Sequence, residues 1–482
     1  MKRCSLSSLL KKGDRHLAVR TFGAVRVTGS EPVPVFQLAI RFLRSAAFIT
    51  AALFLSALGG CSKVEPPVFQ LNLQGRNPDD FLVTGREKDK DDRAAKEQNL
   101  DALKAVSTVL YAMFGEPDAP FVMADTGLDR RKIELAAGPS NGNPKLLQQG
   151  LYRRHCAHCH GISGDGAGPT AAFLNPYPRD YRQGLFKFKS TVRSAKPTTD
   201  DMRRILHEGI AGTAMPSFLL LNDDEIDALV EYVKYLSIRG QTEQMLLIKV
   251  FDEGDPIDLK TVKLTELVSE YVVPIVEPWN AAETQVIVPP DRPPIDTPEL
   301  LAASIAKGAE LFRGKDAQCA KCHGPTALGD GSEELLFDDW NKVKQFADLA
   351  KRIGEAQNIA DSKEKKTTLG ELYASLSAED RKWLLPQQQV QPRNLRQGIY
   401  RFGRRPVDLY RRIFAGVNGT PMPQGGADAN NPSGLQPEQI WNIVDYVRSL
   451  PYEKISDPYV GKGRLAGIDT WHDTAEANST HK

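Results

Sequence analysis

Two short segments of the chain place cysteine and histidine at the same spacing. Residues 156–160 and 319–323 both read C-x-x-C-H. This pattern is typical of covalent attachment of c-type haem, in which the cysteines form thioethers to the porphyrin and the following histidine ligates the iron. The pattern therefore predicts two haems c. The predicted attachment residues are Cys156, Cys159, Cys319 and Cys322, and the predicted iron ligands are His160 and His323.

Other uses of paired cysteines fit the sequence less well. A C-x-x-C pair alone is also compatible with a thiol redox site or a zinc site. The histidine after each pair and the repetition argue against both, and no second C-x-x-C stands near either motif to complete a four-cysteine zinc site. The formal net charge of +1 gives no case for binding nucleic acid.

A haem iron with one histidine needs a second axial ligand or has an open site, and methionine is typical of electron-transfer cytochromes. Met215 and Met422 stand in matching Gly-Thr-x-Met-Pro segments, one after each motif. Glycine and proline beside the methionine favour a loop. We therefore predict Met215 and Met422 as iron ligands. Met202 lies in a helical pattern and is expected in the core or at the surface, and His207 is a weaker alternative ligand.

The repetition extends beyond the motifs. Residues 178–188 match residues 392–402, and residues 221–236 match residues 435–450. Residues 221–236 and residues 435–450 each begin with a capping pattern, and apolar residues follow at helical spacing. This pattern predicts an amphipathic helix in each copy. Both halves of the chain resemble class I cytochrome c domains. The predicted fold is mainly α, with two tandem class I cytochrome c domains, an N-terminal extension and a mixed linker.

The resemblance implies further roles for single residues. In class I domains the first and last helices cross closely, and Gly150 and Gly308 match the positions of that contact. A proline carbonyl often accepts a hydrogen bond from the haem-ligating histidine. Pro169 fits that role in the first domain, whereas the second domain has no matching proline, so we expect the two haems to differ in potential.

Two arginines at matched positions are candidates for binding the haem propionates. Arg179 and Arg393 each follow a proline in the repeated segment, and arginine forms strong bidentate bonds to carboxylates. Structural salt bridges are the alternative role for these two arginines.

The N-terminus predicts export. Arg41 and Arg44 precede an apolar run that is too short for a comfortable membrane span. The segment that ends at Cys61 resembles a bacterial lipoprotein signal, in which the cysteine is lipidated. We expect a protein on the periplasmic or extracytoplasmic face, anchored to the membrane by a lipid on Cys61. A short uncleaved anchor is the alternative.

We predict the following divisions of the chain: a lipoprotein-like signal peptide at 1–60, a tether and helical extension at 61–145, the first cytochrome c domain at 146–240, a linker at 241–298, the second domain at 299–455 with an insertion at about 332–386, and a polar tail at 456–482. Residues 94–113 are expected to form a helix, and residues 246–250 and 284–288 read as β-rich runs. The insertion reads as one or two surface helices that either bind a partner or are simply solvated.

These features together predict a one-electron carrier with two His/Met haems. We expect redox protein partners within a respiratory chain, namely a quinol-oxidising complex and a terminal oxidase or reductase, and the protein is either free or a subunit of such a complex. A dihaem peroxidase-type enzyme and a haem-based sensor are the alternatives, and each requires one iron with an open or displaceable ligand.

Overall fold

The computed structural model describes residues 67–72, 90–138, 150–332, 363–364, 385, 388, 390–429 and 431–453. All of them belong to one compact unit. The predicted signal peptide with Cys61, residues 146–149, nearly all of the insertion at 332–386 and the tail at 456–482 lie outside the described residues.

The first half of the described chain is helical apart from one short hairpin. Its elements are α1 (Lys90–Phe114), β1 (Gly115–Glu116), β2 (Ala119–Pro120), α2 (Arg130–Ala137), α3 (Leu151–His155), α4 (Ala157–His160), α5 (Thr199–Glu208) and α6 (Asp223–Phe251). Strands β1 and β2 pair antiparallel. The predicted mainly α fold is confirmed.

The second half repeats part of this order after a helical linker. The linker contains α7 (Leu264–Leu267), a π-helical turn (Val268–Val272) and α8 (Val273–Asn280). The second domain contains α9 (Pro298–Arg313), α10 (Ala320–His323), α11 (Pro406–Ala415) and α12 (Pro437–Ser449). Helices α9, α10, α11 and α12 follow the order helix, haem motif, helix before the methionine loop, and last helix that the sequence predicts.

Local sequence signals start the helices that flank the methionine loops. A capping box of Thr198 and Asp201 starts α5, and one of Asn222 and Glu225 starts α6. In each box the side chains satisfy backbone N–H groups that the first helical turn leaves without partners. In the second domain, proline stands at the start of α11 and α12, where its fixed φ is compatible with a helix and its missing N–H costs nothing.

The first and last helices of the second domain meet at Gly308. A Cβ at this position would collide with the carbonyl oxygen of Asn442 in α12, so glycine permits the close approach. Phe312 packs edge-on against Tyr446, with ring centroids 5.3 Å apart. The predicted crossing is therefore present in this domain.

The corresponding contact in the first domain is made differently. Tyr152 contacts Tyr232 of α6, with ring centroids 4.9 Å apart. Gly150, however, lies against the carbonyl of Ala137 at the end of α2 rather than against α6. The expectation for Gly150 was wrong. Helix α2 packs along α6 and occupies the position that we had expected Gly150 to take against α6.

The linker region was partly predicted incorrectly. Residues 246–250 form the end of the continuous helix α6, and Leu246, Leu247 and Val250 are buried. A short run of apolar residues does not distinguish a strand from a buried helix. Here packing against neighbouring helices favours the helix. Residues 284–288 begin in a 3₁₀ turn and make a single bridge from Val286 to Thr191. The predicted helix at 94–113 is confirmed by α1.

The two haem-motif domains are joined by a buried ion pair and an aromatic contact. Arg204 of α5 donates two hydrogen bonds to Asp408 of α11, at 2.7 and 2.9 Å. Phe188 and Phe402, which occupy matched positions in the repeat, stack with ring centroids 6.3 Å apart. Equivalent elements of the two copies therefore face each other.

None of the helices in the described ranges is both long enough and apolar enough to cross a membrane.

The ion pair between the domains gives a pH-dependent prediction. Burial alone would raise the pKa of Asp408, but the hydrogen bonds from Arg204 and Arg405 outweigh it and hold the pKa at about 2, below the ordinary 3.8. A carboxylate whose pKa is lower in the folded state than in the unfolded state stabilises the folded protein. This contribution is complete at a pH above the unfolded-state pKa, and it is lost as the pH falls through the folded-state pKa. We expect Asp408→Asn to destabilise the protein by about 2 kcal/mol at neutral pH.

Denaturant unfolding of the wild type and the variant between about pH 7 and pH 2 measures this effect. The difference between them should shrink as the pH falls from about 4 towards 2. Glu208→Gln is the matched control, because Glu208 pairs with the same Arg204 but is exposed, and it should cost less than about 1 kcal/mol. A difference that does not change with pH contradicts the assignment.

Candidate haem sites

Each C-x-x-C-H motif forms a single helical turn. In the first motif, the backbone N–H of His160 bonds to the carbonyl of Cys156 at 2.8 Å, and in the second the N–H of His323 bonds to Cys319 at 2.9 Å. A glycine with positive φ follows each histidine and ends the turn, namely Gly161 and Gly324. The turn brings both cysteines and the histidine of a motif close together, as covalent attachment of one group requires.

The first motif faces a cavity of about 230 Å³. Its walls include Cys156, Cys159, His160 and, from the loop after α5, Met215. The structure therefore brings together all four residues that we predicted for the first haem. The remaining wall is largely apolar and includes Leu174, Ile205, Leu206, Phe218, Val230 and Val233.

The second domain contributes to the wall of this cavity. Arg401 lines it together with Arg179 and Lys187 of the first domain. Lys187 and Arg401 occupy matched positions in the repeat. These three cations give a largely apolar lining a cationic part that suits anionic groups.

The histidine of each motif is oriented by a backbone carbonyl. His160 Nδ1 lies 3.0 Å from the carbonyl of Arg179, and His323 Nδ1 lies 3.1 Å from the carbonyl of Arg393. Burial lowers the pKa of His160 to about 4 and lowers that of His323 as well. A neutral ring that donates from Nδ1 keeps Nε2 as the basic atom available to a metal.

The carbonyl acceptor differs from our expectation. We expected the carbonyl of Pro169 to serve His160, and the sequence left the acceptor of His323 open. Arg179 and Arg393 serve instead, at matched positions in the repeat. The expectation was wrong because the repeated segment at 178–184 folds back over the histidine: Tyr181 N–H donates to the carbonyl of Gly164 at 2.7 Å. The two histidines therefore have equivalent orienting bonds.

Burial disfavours the thiolate form of the first cysteine in each motif. All four motif cysteines are free, with no disulfide among them. Burial raises the pKa of Cys156 to about 12 and that of Cys319 to about 11. Because a redox or zinc-binding pair needs readily formed thiolates, the raised pKa of one cysteine in each pair counts against both alternatives.

The two methionine loops have the same hydrogen-bond pattern. Thr213 Oγ1 donates to the carbonyl of Ile210 at 2.8 Å and accepts from the N–H of Met215 at 3.1 Å. Thr420 Oγ1 bonds in the same way to Val417 at 2.9 Å and to Met422 at 3.2 Å. The threonine of the Gly-Thr-x-Met-Pro pattern thus holds the backbone of each methionine in place.

The matched arginines cross between the domains. The guanidinium of Arg393 lies against Gly212 in the first methionine loop, where a Cβ would be 2.8 Å from Nη2. Arg179 lies against Gly419 in the second loop, where a Cβ would be 3.5 Å from Nη1. Each arginine therefore orients one histidine through its carbonyl and contacts the methionine loop of the other domain through its side chain. The sequence did not reveal this exchange.

The remaining candidate residues take other positions. Met202 is buried and lines the first cavity beside Met215, so it contributes to the wall as well as to the core. His207 lies 3.9 Å from Asp223 at the start of α6 and does not line the cavity. His155, which precedes the first cysteine of the first motif, and His158, which lies between its two cysteines, also line the cavity. His158 is exposed, whereas His155 is half-buried against Phe218. Cys319, Cys322, His323 and Met422 do not belong to the cavity of the first motif.

Two regions of the chain are similar to a known protein family. The cytochrome c family model matches residues 149–237 and 305–451. One solved structure, from the reducing HAO-like protein complex of Kuenenia stuttgartiensis, is 21% identical and aligns over 62% of this chain and 93% of its own, with a TM-score of 0.37. No curated protein matches the chain.

The residues of the first site fit a covalent haem. The two thiols, the neutral imidazole and the thioether of Met215 line one largely apolar cavity with a cationic side. One adjustment is required, because the Tyr181 hydroxyl lies 3.1 Å from His160 Nε2 and its ring stacks on the imidazole. The hydroxyl must turn away from this nitrogen for the histidine to ligate iron.

Covalent attachment gives a direct test of the first site. We expect the double variant Cys156→Ser and Cys159→Ser to retain half of the covalently bound haem, since serine forms no thioether to the porphyrin. Intact-protein mass spectrometry and haem-stained gels measure the content. The double variant Cys319→Ser and Cys322→Ser is the matched counterpart and should also retain half, whereas the variant with all four substitutions should retain none. Unaltered haem content in the double variant contradicts the assignment.

Proposed function

We propose, from the two cytochrome c domains that the chain contains, that the protein is a one-electron carrier with two covalent haems c. In this proposal His160 and Met215 ligate the iron of the first haem, and His323 and Met422 ligate that of the second. The cavity that joins Cys156, Cys159, His160 and Met215 is the observation that carries the proposal.

The duplicated supporting bonds favour two closed irons. Both histidines donate to a carbonyl at the same position of the repeat, and both methionine loops are closed by the same threonine. A peroxidase or a sensor needs at least one iron with an open or displaceable ligand. The symmetry of the two loops supports the carrier over both alternatives.

The chemistry of the carrier is simple. Bound haem supplies reversible one-electron cycling between Fe(III) and Fe(II). The chain supplies the ligands and a largely dry cavity. The chain also supplies a fixed geometry, because carbonyls orient the neutral imidazoles and threonine hydrogen bonds hold the methionine loops. Little rearrangement of these groups therefore accompanies a change in the charge of the iron.

We further propose a role in electron transfer and a cellular location for this carrier. It passes electrons within a respiratory chain, between a quinol-oxidising complex and a terminal oxidase or reductase, either free or as a subunit of such a complex. The lipoprotein-like segment that ends at Cys61 supports a location on the periplasmic or extracytoplasmic face of a membrane. Arg179 and Arg393, together with Arg401, are proposed to bind haem propionates. The lining of the first cavity by Arg179 and Arg401 supports this role for those two residues, and the matched position in the repeat supports it for Arg393.

Carbon monoxide binding tests the proposed ligation. The purified protein is examined by optical spectroscopy, oxidised and reduced, with and without carbon monoxide. Two closed His/Met irons should show the weak long-wavelength band of methionine-ligated ferric haem at two-haem intensity, and carbon monoxide should leave the reduced spectrum unchanged. Met215→Ala and Met422→Ala should each halve the band and open one iron to carbon monoxide.

Met202→Leu is the matched control for these variants, because Met202 lines the first cavity but is not proposed as a ligand. It should preserve the band. Ready binding of carbon monoxide to the wild type refutes the closed-iron assignment, and hydrogen peroxide turnover by the reduced protein would then favour the peroxidase.

The proposed anchor is tested separately. Expressed in a bacterium that processes lipoproteins, the wild type should fractionate with membranes and its N-terminal peptide should begin at a diacylated Cys61. Cys61→Ser should abolish the modification and release exported protein from the membrane, because a covalent lipid supplies most of the affinity. A wild type that begins elsewhere, or that carries no lipid, contradicts the anchor.

A further inference from the structure

Arg193 connects the first domain to the second methionine loop. Its Nη1 donates to the carbonyl of Met422 at 3.0 Å and approaches that of Ala415 at 3.4 Å. Its own carbonyl accepts a hydrogen bond from Asn418 Nδ2 at 2.7 Å. Both the backbone and the side chain of Arg193 are therefore bound to the segment that carries Met422.

The loop that contains Arg193 is present in only one copy of the repeat. Phe188 and Met215 are 27 positions apart, whereas the matched Phe402 and Met422 are 20 positions apart. The first domain thus has seven additional residues between its aromatic residue and its methionine, and Arg193 lies among them. The second domain enters α11 almost directly after Phe402, so it has no equivalent loop to reach Met215.

This loop is held in place independently of its contact with the second domain. Lys189 Nζ donates to the carbonyls of Val192, Arg193 and Ala195, the last two at 3.0 and 2.6 Å. The N–H of Val192 donates to the carbonyl of Gln285 at 3.0 Å. A loop fixed in this way presents the arginine with little loss of conformational freedom on contact.

The second domain leaves space for the guanidinium. Gly416, directly after α11, has φ +68°, and a Cβ there would lie 2.5 Å from Arg193 Nη1. The carbonyl of Met422 already accepts the N–H of Val417 at 3.2 Å, as the carbonyl of Met215 accepts that of Ile210 at 3.1 Å. The bond from Arg193 is therefore an addition to a pattern that the two loops otherwise share.

Arginines at matched positions contact both methionine loops, since Arg179 lies against the second loop and Arg393 against the first. Arg193 adds a further cation at the second loop. A fixed cation near a partly buried redox centre favours its less positive, reduced form, because the surrounding medium screens charge less than water does.

We propose that Arg193 is a positioning residue for Met422, holding this axial ligand from the other domain and raising the reduction potential of the second haem. The inference rests on the proposed function, because it takes Met422 as an iron ligand.

Redox titration of the haem-loaded protein, followed in the haem absorption bands, tests this role. In Arg193→Gln we expect one of the two potentials to fall and the other to stay at its wild-type value. A parallel titration of Met215→His, which alters the first haem, assigns the potential that moves. Arg193→Lys, which keeps the charge but loses the planar donor group, should lie between the wild type and Arg193→Gln, and it carries the test if Arg193→Gln does not accumulate.

Arg131→Gln is the matched control, because it removes an equal charge from the exposed part of α2 and makes none of these contacts. Selective loss of the methionine–iron band at the second haem in Arg193→Gln also supports the positioning role. Unchanged potentials with an intact band overturn it, as does an equal fall of both potentials. A wild type without methionine ligation at the second haem refutes the proposed function instead, so the two failures are distinguishable.

Discussion

The hydrogen bond from each motif histidine to an arginine carbonyl is the constraint on which both sites depend. The backbone at Arg179 and at Arg393 must lie directly over the histidine, at 3.0 and 3.1 Å from Nδ1. The side chain of the same residue extends to the methionine loop of the other domain. One residue therefore takes part both in orienting a ligand and in the contact between the two domains.

The repeated segment around these arginines has the same local fold in both copies but different surroundings. Asp180 accepts the N–H of Arg182 at 3.0 Å, and Asn394 accepts that of Arg396 at 3.0 Å. Arg182 is buried in a bidentate pair with Asp180. Arg396, which faces an asparagine without charge, instead donates to the carbonyl of Thr326 at 2.6 Å. The ion pair within the turn is thus replaced by a backbone acceptor and by a longer ion pair with Glu453, at 3.5 Å, without altering the turn.

Sequence patterns predicted the features that depend on residues close together in the chain. The caps of α5 and α6 and the two methionine loops follow from short motifs, and the pairing of Met215 with the first motif follows from the matched loops. Contacts between distant segments were not predictable in this way. The contact of Gly150 with α6 was expected from the resemblance to class I domains, and no local pattern in the sequence indicated that Ala137 lies beside Gly150 instead. The role of Arg193 also required the three-dimensional arrangement, although the seven extra residues between Phe188 and Met215 were a visible signal.

The exchange of arginines between methionine loops limits how the protein can be divided. A domain excised with its own histidine and methionine would keep its covalent attachment residues but lose the guanidinium that lies on its loop, since that group belongs to the other copy. Each domain therefore depends on the other for the guanidinium that contacts its methionine loop. In evolutionary terms, a substitution near Gly212 or Gly419 is constrained by a residue in the opposite half of the chain, and the two halves must change together.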